Sequence, residues 1–225
     1  MKKIIIAIDG ESSSGKSSLA KALSKVMLYK HINTGSMYRA VTFFALKEGL
    51  LSDDKINPEK IIKLTEKLNF DFKLVNNNSN LFLDGVNVEK EIRFTQVSDL
   101  VSQVSAIFEV RKKIVDIQRN MGKDKGVVME GRDIGSVVFP SAELKLFIKA
   151  DILIRTERRY KELKINNPSI TKKYVLENLK KRDFMDKNRE HSPLIQVSDA
   201  ILIDNSRLSI NEQIALIINY LKKKS

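Results

Sequence analysis

The stretch "GESSSGKSS" at residues 10–18 constrains the fold more than any other part of this sequence. It matches the pattern G-x-x-x-x-G-K-[ST] without a mismatch. The apolar run "KIIIAID" precedes it, and a helical pattern follows over 16–30, with Leu19, Leu23 and Val26 among its apolar positions. A buried strand, a glycine-rich loop and a helix are the context that this pattern requires. The stretch therefore predicts a phosphate-binding loop at the end of a parallel strand.

Each part of this loop has a chemical reason. Backbone N–H groups of a tight loop converge on phosphate oxygens, and the following helix adds the positive end of its dipole. Lys16 is predicted to reach the β- and γ-phosphates, and the Ser17 hydroxyl to bind Mg²⁺. The alternative is a serine-rich turn that caps a helix. The predicted ATP-binding residues of the loop are Gly10, Glu11, Ser12, Ser13, Ser14, Gly15, Lys16, Ser17 and Ser18.

The rest of the chain alternates between strand and helix patterns. Strands are predicted in "GVVME", ending near Glu130, in "ELKLFIKA" and in "DAILIDNS", and a short one before "NTGS". Strands separated by helices imply a parallel sheet that helices cover on both sides. The predicted helices after the first are "MYRAVTFFALKEG", 58–68, 94–120, 153–166, 172–187 and a final helix with Ile210, Ile214, Ile217, Ile218 and Leu221 on its core face.

Residues 69–88 have a different sequence pattern from the rest of the chain. "FDFKLV" alternates apolar and polar residues, "NNNSN" is predicted to be a turn, and "LFLDGVNV" places Asp84-Gly85 between two short β-like runs. Asp-Gly in this position is a strong hairpin signal, because both central residues of the favoured turn need a positive φ. A small antiparallel sheet is therefore predicted as an insertion in the α/β chain.

Composition excludes several classes of protein. The 225 residues contain no cysteine and two histidines, so neither a disulfide framework nor a thiolate or histidine-built metal centre is expected. The apolar runs are too short for a membrane span or a secretion signal, which predicts a cytoplasmic protein. The formal charge of +12 fits either an anionic partner or a coding bias toward lysine.

Arginines recur where strands are predicted to end. Arg39 follows "NTGSMY", Arg132 and Asp133 follow the strand that ends at Glu130, and "KRDFMDKNRE" at 181–190 adds further arginines within about two helical turns. The planar fork of arginine suits phosphate oxygens, so these clusters predict a second, acceptor phosphate site in the same crevice. The alternative for any one of them is an ion pair on a helix surface.

These stretches, in this order, resemble the bacterial cytidylate kinases: "SGKSS", "NTGSMYRA", "SQVSAIFEVR", "EGRDIGSVVFP" and "KRDFMDKNR". The resemblance runs from about residue 3 to the final helix, and the inserted sheet resembles the insertion of that family. It implies a P-loop kinase fold in which Mg²⁺ and ATP serve to phosphorylate CMP or dCMP.

The resemblance also implies roles for individual residues. Lys16, Arg132 and Arg189 would be catalytic. Ser102 and Arg111 would read the cytosine, with Asp133 completing the pocket, and Tyr38 would pack against the nucleotide, although it also fits a core aromatic. The full set implied for CMP is Thr34, Tyr38, Arg39, Ser102, Arg111, Arg132, Asp133, Arg182, Asp186 and Arg189.

Arg155 and Arg158, with Arg159, resemble the mobile lid over the triphosphate, unless they form a solvated basic helix face. Glu11 departs from the family, in which a proline is usual, so its carboxylate must point away from bound phosphates. Glu130 is expected to orient Mg²⁺ or its waters. One kinase domain is expected over 1–225, with a core at 1–35, 121–150 and 190–225, an NMP-binding region at 36–120 and a lid at 151–170.

Other acceptors and partners remain alternatives from the sequence alone. UMP or, as in shikimate-type kinases, a non-nucleotide alcohol would keep the enzyme class, but the insertion speaks against the small-acid kinases. A basic nucleic-acid-binding ATPase would need exposed aromatics, whereas aromatics make up only 7% of this chain and lie mostly in apolar runs. We therefore expect a monomer whose partners are small nucleotides, not a nucleic acid or a membrane.

Overall fold

The computed structural model describes residues 2–165 and 167–224, so Met1, Asn166 and Ser225, which fall within predicted segments, lie outside the described residues. Within these residues the strands are β1 (Ile5–Gly10), β2 (Lys30–Asn33), β3 (Phe70–Val75), β4 (Asn78–Leu83), β5 (Val86–Asn87), β6 (Val127–Glu130), β7 (Leu144–Lys149) and β8 (Ile201–Asp204). The α-helices are α1 (Lys16–Met27), α2 (Thr34–Lys47), α3 (Pro58–Lys67), α4 (Thr95–Ala106), α5 (Phe108–Gly122), α6 (Ile152–Lys164), α7 (Lys172–Asn188) and α8 (Ile210–Lys224).

A five-stranded parallel sheet forms the centre, with the order β2-β6-β1-β7-β8. The strand order reverses beside β1, since the chain passes from β6 on one side of β1 to β7 on the other. Ligands of open parallel sheets bind beyond the carboxyl ends of the strands at such a switch point. The carboxyl ends of β1 and β6 lead here into the phosphate loop and into Arg132 and Asp133. The predicted P-loop kinase fold is confirmed.

Side chains of β1 alternate between two apolar cores, as the period of a strand requires. Ile6 and Ile8 pack with Leu19 of α1 and Ile217 of α8 on one face of the sheet. Ile5 and Ala7 face the other way, toward a cluster that includes residues of α5. Burial on both faces is typical of parallel strands and explains why "KIIIAID" is a continuous apolar run. The strand that carries the phosphate loop is therefore packed between two apolar cores.

The inserted antiparallel sheet is also confirmed, with the order β3-β4-β5. Asp84 and Gly85 have φ of 48° and 82°, so they form the predicted turn with two positive φ angles. The "NNNSN" prediction was too long, because the turn consists of Asn76 and Asn77, also with positive φ, and the next residues belong to β4. The insertion contacts the edge of the main sheet where the Ser79 hydroxyl donates to the His31 carbonyl at 2.6 Å.

Two helix predictions were wrong in their bounds. The helix predicted over 16–30 ends at Met27, because Leu28 turns into the left-handed region and Lys30 already pairs with Val127 as part of β2. Val26 is 54% exposed rather than on the core face. The helix predicted over 94–120 is two helices, since Ile107 is extended between α4 and α5. No helix among the described residues has the length and apolar character needed to cross a bilayer.

Candidate active site

The phosphate loop lies between β1 and α1 and depends on its two glycines. A Cβ on Gly10 would lie 2.1 Å from the Ile148 carbonyl oxygen of the neighbouring strand. A Cβ on Gly15, where φ is +95°, would lie 2.0 Å from the Asn205 amide nitrogen. That amide donates to the Ser14 carbonyl at 2.7 Å and so holds the loop from outside. Both glycines are therefore required by close packing of the loop.

Lys16 is buried at the start of α1. Its Nζ donates to the Glu11 carbonyl at 2.5 Å and lies 3.4 Å from the Ser14 hydroxyl. Burial lowers the pKa of Lys16, and the nearby Arg132 lowers it further. A cation in this setting gains from an anionic ligand that would offset the burial of its charge.

The side-chain oxygens that could hold a magnesium ion meet at the start of α1. The Ser17 hydroxyl donates to Glu130 Oε2 at 2.7 Å, and Asn33 Nδ2 lies 3.4 Å from the same hydroxyl. The other carboxylate oxygen of Glu130 is 3.0 Å from His31 Nε2. Burial by itself would raise the pKa of Glu130, but His31, Lys16 and Ser17 lower it below its usual range. A hydroxyl and an ionised carboxylate are ligands that Mg²⁺ accepts, so these residues fit the ion.

Asp9 anchors the next wall of the cavity and was missed from the sequence. Its carboxylate is buried and accepts hydrogen bonds from the backbone N–H groups of Ile134 and Gly135 at 2.8 and 2.7 Å. These residues begin a short π-helical turn, Ile134–Val138, directly after Asp133. Its position immediately before Gly10 was the available signal. Asp9 therefore fixes the segment that carries Arg132 and Asp133 to the base of the phosphate loop.

Four arginines from three parts of the chain converge opposite the loop, and we call them the arginine cluster: Arg39, Arg132, Arg182 and Arg189. Desolvation and the neighbouring arginines lower the pKa of Arg39 to about 9 and that of Arg182 to about 10.

Acidic side chains neutralise the positive charge of the arginine cluster only in part. Asp186 accepts from Arg132 Nε at 2.8 Å and lies 3.6 Å from Arg189 Nη1. Buried nitrogens of Arg39, Arg182 and Arg189 have no hydrogen-bond partner among the described residues. Buried donors are normally satisfied, so this cluster is built to receive an anion with several oxygens.

Arg111 and Asp133 form a smaller polar pocket beyond the cluster. Arg111 Nη1 donates to Asp133 Oδ2 at 2.8 Å and its Nε donates to the Ser105 carbonyl at 2.9 Å. The guanidinium lies 4.9 Å from the ring centre of Tyr38, and burial raises the pKa of Tyr38 to about 12. Ser102 lies on the same wall. The break at Ile107 lets α4 and α5 present Ser102 and Arg111 to one cavity.

One cavity of about 490 Å³ joins these parts. Its volume is within the range of sites for small molecules. The Thr34 hydroxyl, which donates to the Glu130 carbonyl at 2.8 Å, lies between the loop and the arginines. The predicted residues that line the cavity are Ser12, Ser13, Ser14, Gly15, Lys16, Ser17, Ser18, Thr34, Tyr38, Arg39, Ser102, Arg111, Arg132, Asp133, Arg158, Arg182, Asp186 and Arg189.

Gly10, Glu11 and Arg155 lie outside that lining. Arg155, predicted to reach ATP, faces the back of the phosphate loop instead, where it is 2.6 Å from Asp183. The Glu11 carboxylate points away from the cavity, as expected, and pairs with Arg155 and Lys187. The side chains of α6 that do line the cavity include Arg158 and Arg159. Arg155 precedes them by one helical turn. Residues at this spacing are expected on the same face of a helix, so the sequence alone did not separate Arg155 from the other two.

Comparisons with known proteins show the family to which this chain belongs. The profile described as "Cytidylate kinase" matches residues 6–223. A relative named cytidylate kinase from Flavobacterium psychrophilum is 49% identical over 97% of this chain and 98% of its own length. Another, from Parabacteroides distasonis, is 47% identical over 99% of this chain and 98% of its own.

A crystal structure of an uncharacterized protein from Eubacterium ventriosum has a TM-score of 0.55 at 16% identity. It covers 98% of this chain and 99% of its own, and it supports the fold alone. The family profile and the two relatives match nearly the whole chain, and the range matched by the profile contains the whole segment from which the cavity is built. The chain therefore belongs to the cytidylate kinase family.

Proposed function

We propose that the cavity is the site at which this chain transfers the γ-phosphoryl group of ATP to CMP or dCMP, giving ADP and CDP or dCDP. The family makes the chain a nucleotide kinase, a phosphotransferase that acts on cytidylate. The observation that carries the proposal is that one cavity joins the loop lysine, Lys16, to a cluster of under-neutralised guanidinium groups. A phosphoryl donor and a phosphorylated acceptor both fit such a space.

ATP is proposed to lie with its phosphates in the loop of residues 12–18. Lys16 Nζ then exchanges the Glu11 carbonyl for the β- and γ-phosphate oxygens, which offset its buried charge. Ser17 would bind Mg²⁺, and Glu130 would act beside it, held in place by His31. The ion would neutralise charge on the phosphates. The remaining contributions come from the side chains of the cavity.

The acceptor is proposed to place its phosphate in the arginine cluster and its base beside Arg111. Arginine forks fix a phosphate through several hydrogen bonds, and Asp186 sets the orientation of two of them. Arg111 and Ser102 would contact the cytosine edge, with the Tyr38 ring beneath the guanidinium. These contacts would hold the attacking oxygen in line with the γ-phosphorus, which is the main requirement of phosphoryl transfer.

No general base is needed for this reaction. The second pKa of a phosphate monoester is about 6, so the acceptor oxygen is ionised near neutral pH. Arg158 and Arg159 on α6 reach the cavity from the lid side, where Arg158 donates to the Asn205 carbonyl and Arg159 to the Ser98 hydroxyl. They would stabilise the transferred group and exclude water, which limits hydrolysis of ATP. The division into core, NMP-binding region and lid, the monomeric state and the cytoplasmic location stay predictions.

The decisive experiment offers the protein ATP, Mg²⁺ and one monophosphate at a time, and follows ADP. We expect turnover with CMP and dCMP, and the rate with UMP measures how strictly the base is read. Turnover with AMP but not with CMP would overturn the proposal.

A matched pair of variants tests the donor site. Lys16→Ala is expected to abolish turnover, whereas Lys25→Ala, at an exposed position of the same helix, keeps it. An undiminished rate in Lys16→Ala would contradict the role given to Lys16.

A further inference from the structure

Helix α7 presents two adjacent rows of polar side chains. Arg182, Asp186 and Arg189, spaced by four and three residues, face the cavity. Asp183 and Lys187, spaced by one helical turn, instead face the back of the phosphate loop. The proposed function uses the first row only. Asp183 belongs to the "RDFMDKNR" stretch and is only 8% exposed.

Asp183 and Arg155 together bind both backbone polar groups of one loop residue, Ser12. Asp183 Oδ1 accepts from the Ser12 backbone N–H at 3.3 Å, while Arg155 Nη1 donates to the Ser12 carbonyl at 3.2 Å. The same Nη1 donates to Asp183 Oδ2 at 2.6 Å. Ser12 itself lines the cavity on the phosphate side. One side chain of α6 and one of α7 therefore hydrogen-bond to the loop on the side away from the cavity.

The remaining donors of Arg155 strengthen this arrangement. Its Nε donates to the Ala150 carbonyl at 3.0 Å, and its Nη2 lies 3.3 Å from Glu11 Oε2. Lys187 donates to the other oxygen of Glu11 at 2.6 Å. Arg155 is 4% exposed, so its charge-assisted hydrogen bonds are little screened and favour one geometry. The phosphate loop, α6 and α7 thus share one ion-pair network.

We propose that Asp183 and Arg155 are positioning residues that couple the binding of the two substrates. Helix α7 is continuous from Lys172 to Asn188, so a displacement of Arg182 toward the phosphate of a bound monophosphate moves Asp183 as well. Movement of Asp183 changes its hydrogen bond to Ser12 and therefore the conformation of the loop that receives ATP. Coupling of this kind is reciprocal, so ATP must strengthen acceptor binding by the same factor as the acceptor strengthens ATP binding.

The test measures the affinity for a non-hydrolysable ATP analogue by calorimetry, with and without saturating CMP. In the unmodified protein CMP is expected to tighten the analogue by at least about five-fold, the lower end of usual coupling factors. In Asp183→Asn, CMP is expected to change the affinity for the analogue by less than about two-fold. Glu177→Gln, which removes an exposed ion pair with Lys180 on the same helix, serves as the control and keeps the factor.

Arg155→Lys keeps the positive charge, but a single ammonium group cannot bind Ser12, Asp183 and Glu11 together. This variant is therefore expected to lose most of the coupling between CMP and the ATP analogue. It provides the test if Asp183→Asn does not fold. The inference rests on the proposed function, and the two fail differently. An unmodified protein that does not bind CMP overturns both. CMP binding without coupling, or coupling that survives intact in folded variants, overturns only the role of Asp183 and Arg155.

Discussion

Asp9 gives the sharpest prediction about stability, because its carboxylate is buried where the phosphate loop meets the segment that follows Arg132 and Asp133. Burial raises its pKa from the ordinary 3.8 to about 6, although the N–H groups of Ile134 and Gly135 and the charge of Lys16 act in the opposite direction. A carboxyl group with a raised pKa in the folded state stabilises the fold below its unfolded pKa. That contribution is lost as the pH rises through about 6.

The size of the effect follows from the shift. A difference of about two pKa units corresponds to about 3 kcal/mol in the free energy of unfolding over the whole titration. Between about pH 5 and about pH 7 the two-state titration with these values gives a loss of about 1.3 kcal/mol. Asp9 is 5% exposed, so screening by solvent does not reduce this figure much.

The assay is urea unfolding of the unmodified protein and of Asp9→Asn at both pH values. Asparagine does not titrate, so the difference between the two proteins isolates Asp9. We expect the stability of the unmodified protein relative to Asp9→Asn to fall by about 1.3 kcal/mol from the lower to the higher pH. Asp116→Asn is the control, because it removes an exposed carboxylate whose ion pair with Arg119 contributes little to stability. A difference that does not change with pH would refute the claim that the Asp9 charge is buried.

Two further predictions concern the loop and the base pocket. Gly10→Ala should unfold the protein at much lower urea than Gly49→Ala, because both positions have positive φ but a Cβ meets the Ile148 backbone only at Gly10. Gly49→Ala should cost about 1 kcal/mol, and equal losses would contradict the packing argument. Arg111→Ala should lower kcat/KM for CMP more than it weakens binding of ATP, and an equal loss with every monophosphate would show that Arg111 does not read the base.

The sequence predicted those parts of the fold that local chemistry determines. The phosphate loop needs glycine at fixed spacing, and the Asp84-Gly85 turn needs two positive φ angles. Both features can therefore be predicted from residues that are close together in the sequence. The break at Ile107 was missed because apolar residues continue across it and neither glycine nor proline marks it. The end of α1 was misplaced because helical periodicity does not reveal where a helix gives way to a strand, here β2.

Most predicted site residues were brought into one cavity, since the carboxyl ends of parallel strands meet at one edge of the sheet. The partners behind that cavity could not be predicted in the same way. Asp183 meets Ser12 and Arg155 only through the packing of α6 and α7 on the loop, which no local pattern encodes. Asp9 likewise finds its partners at Ile134 and Gly135, far along the chain.

The central claim is that a guanidinium-lined site opposite the phosphate loop receives the acceptor phosphate. A crystal structure of the protein soaked in CMP tests this most directly. We expect the phosphate of CMP within hydrogen-bond distance of Arg39, Arg132 and Arg189, with the cytosine beside Arg111. CMP bound elsewhere, with those arginines making no contact to it, would contradict the account.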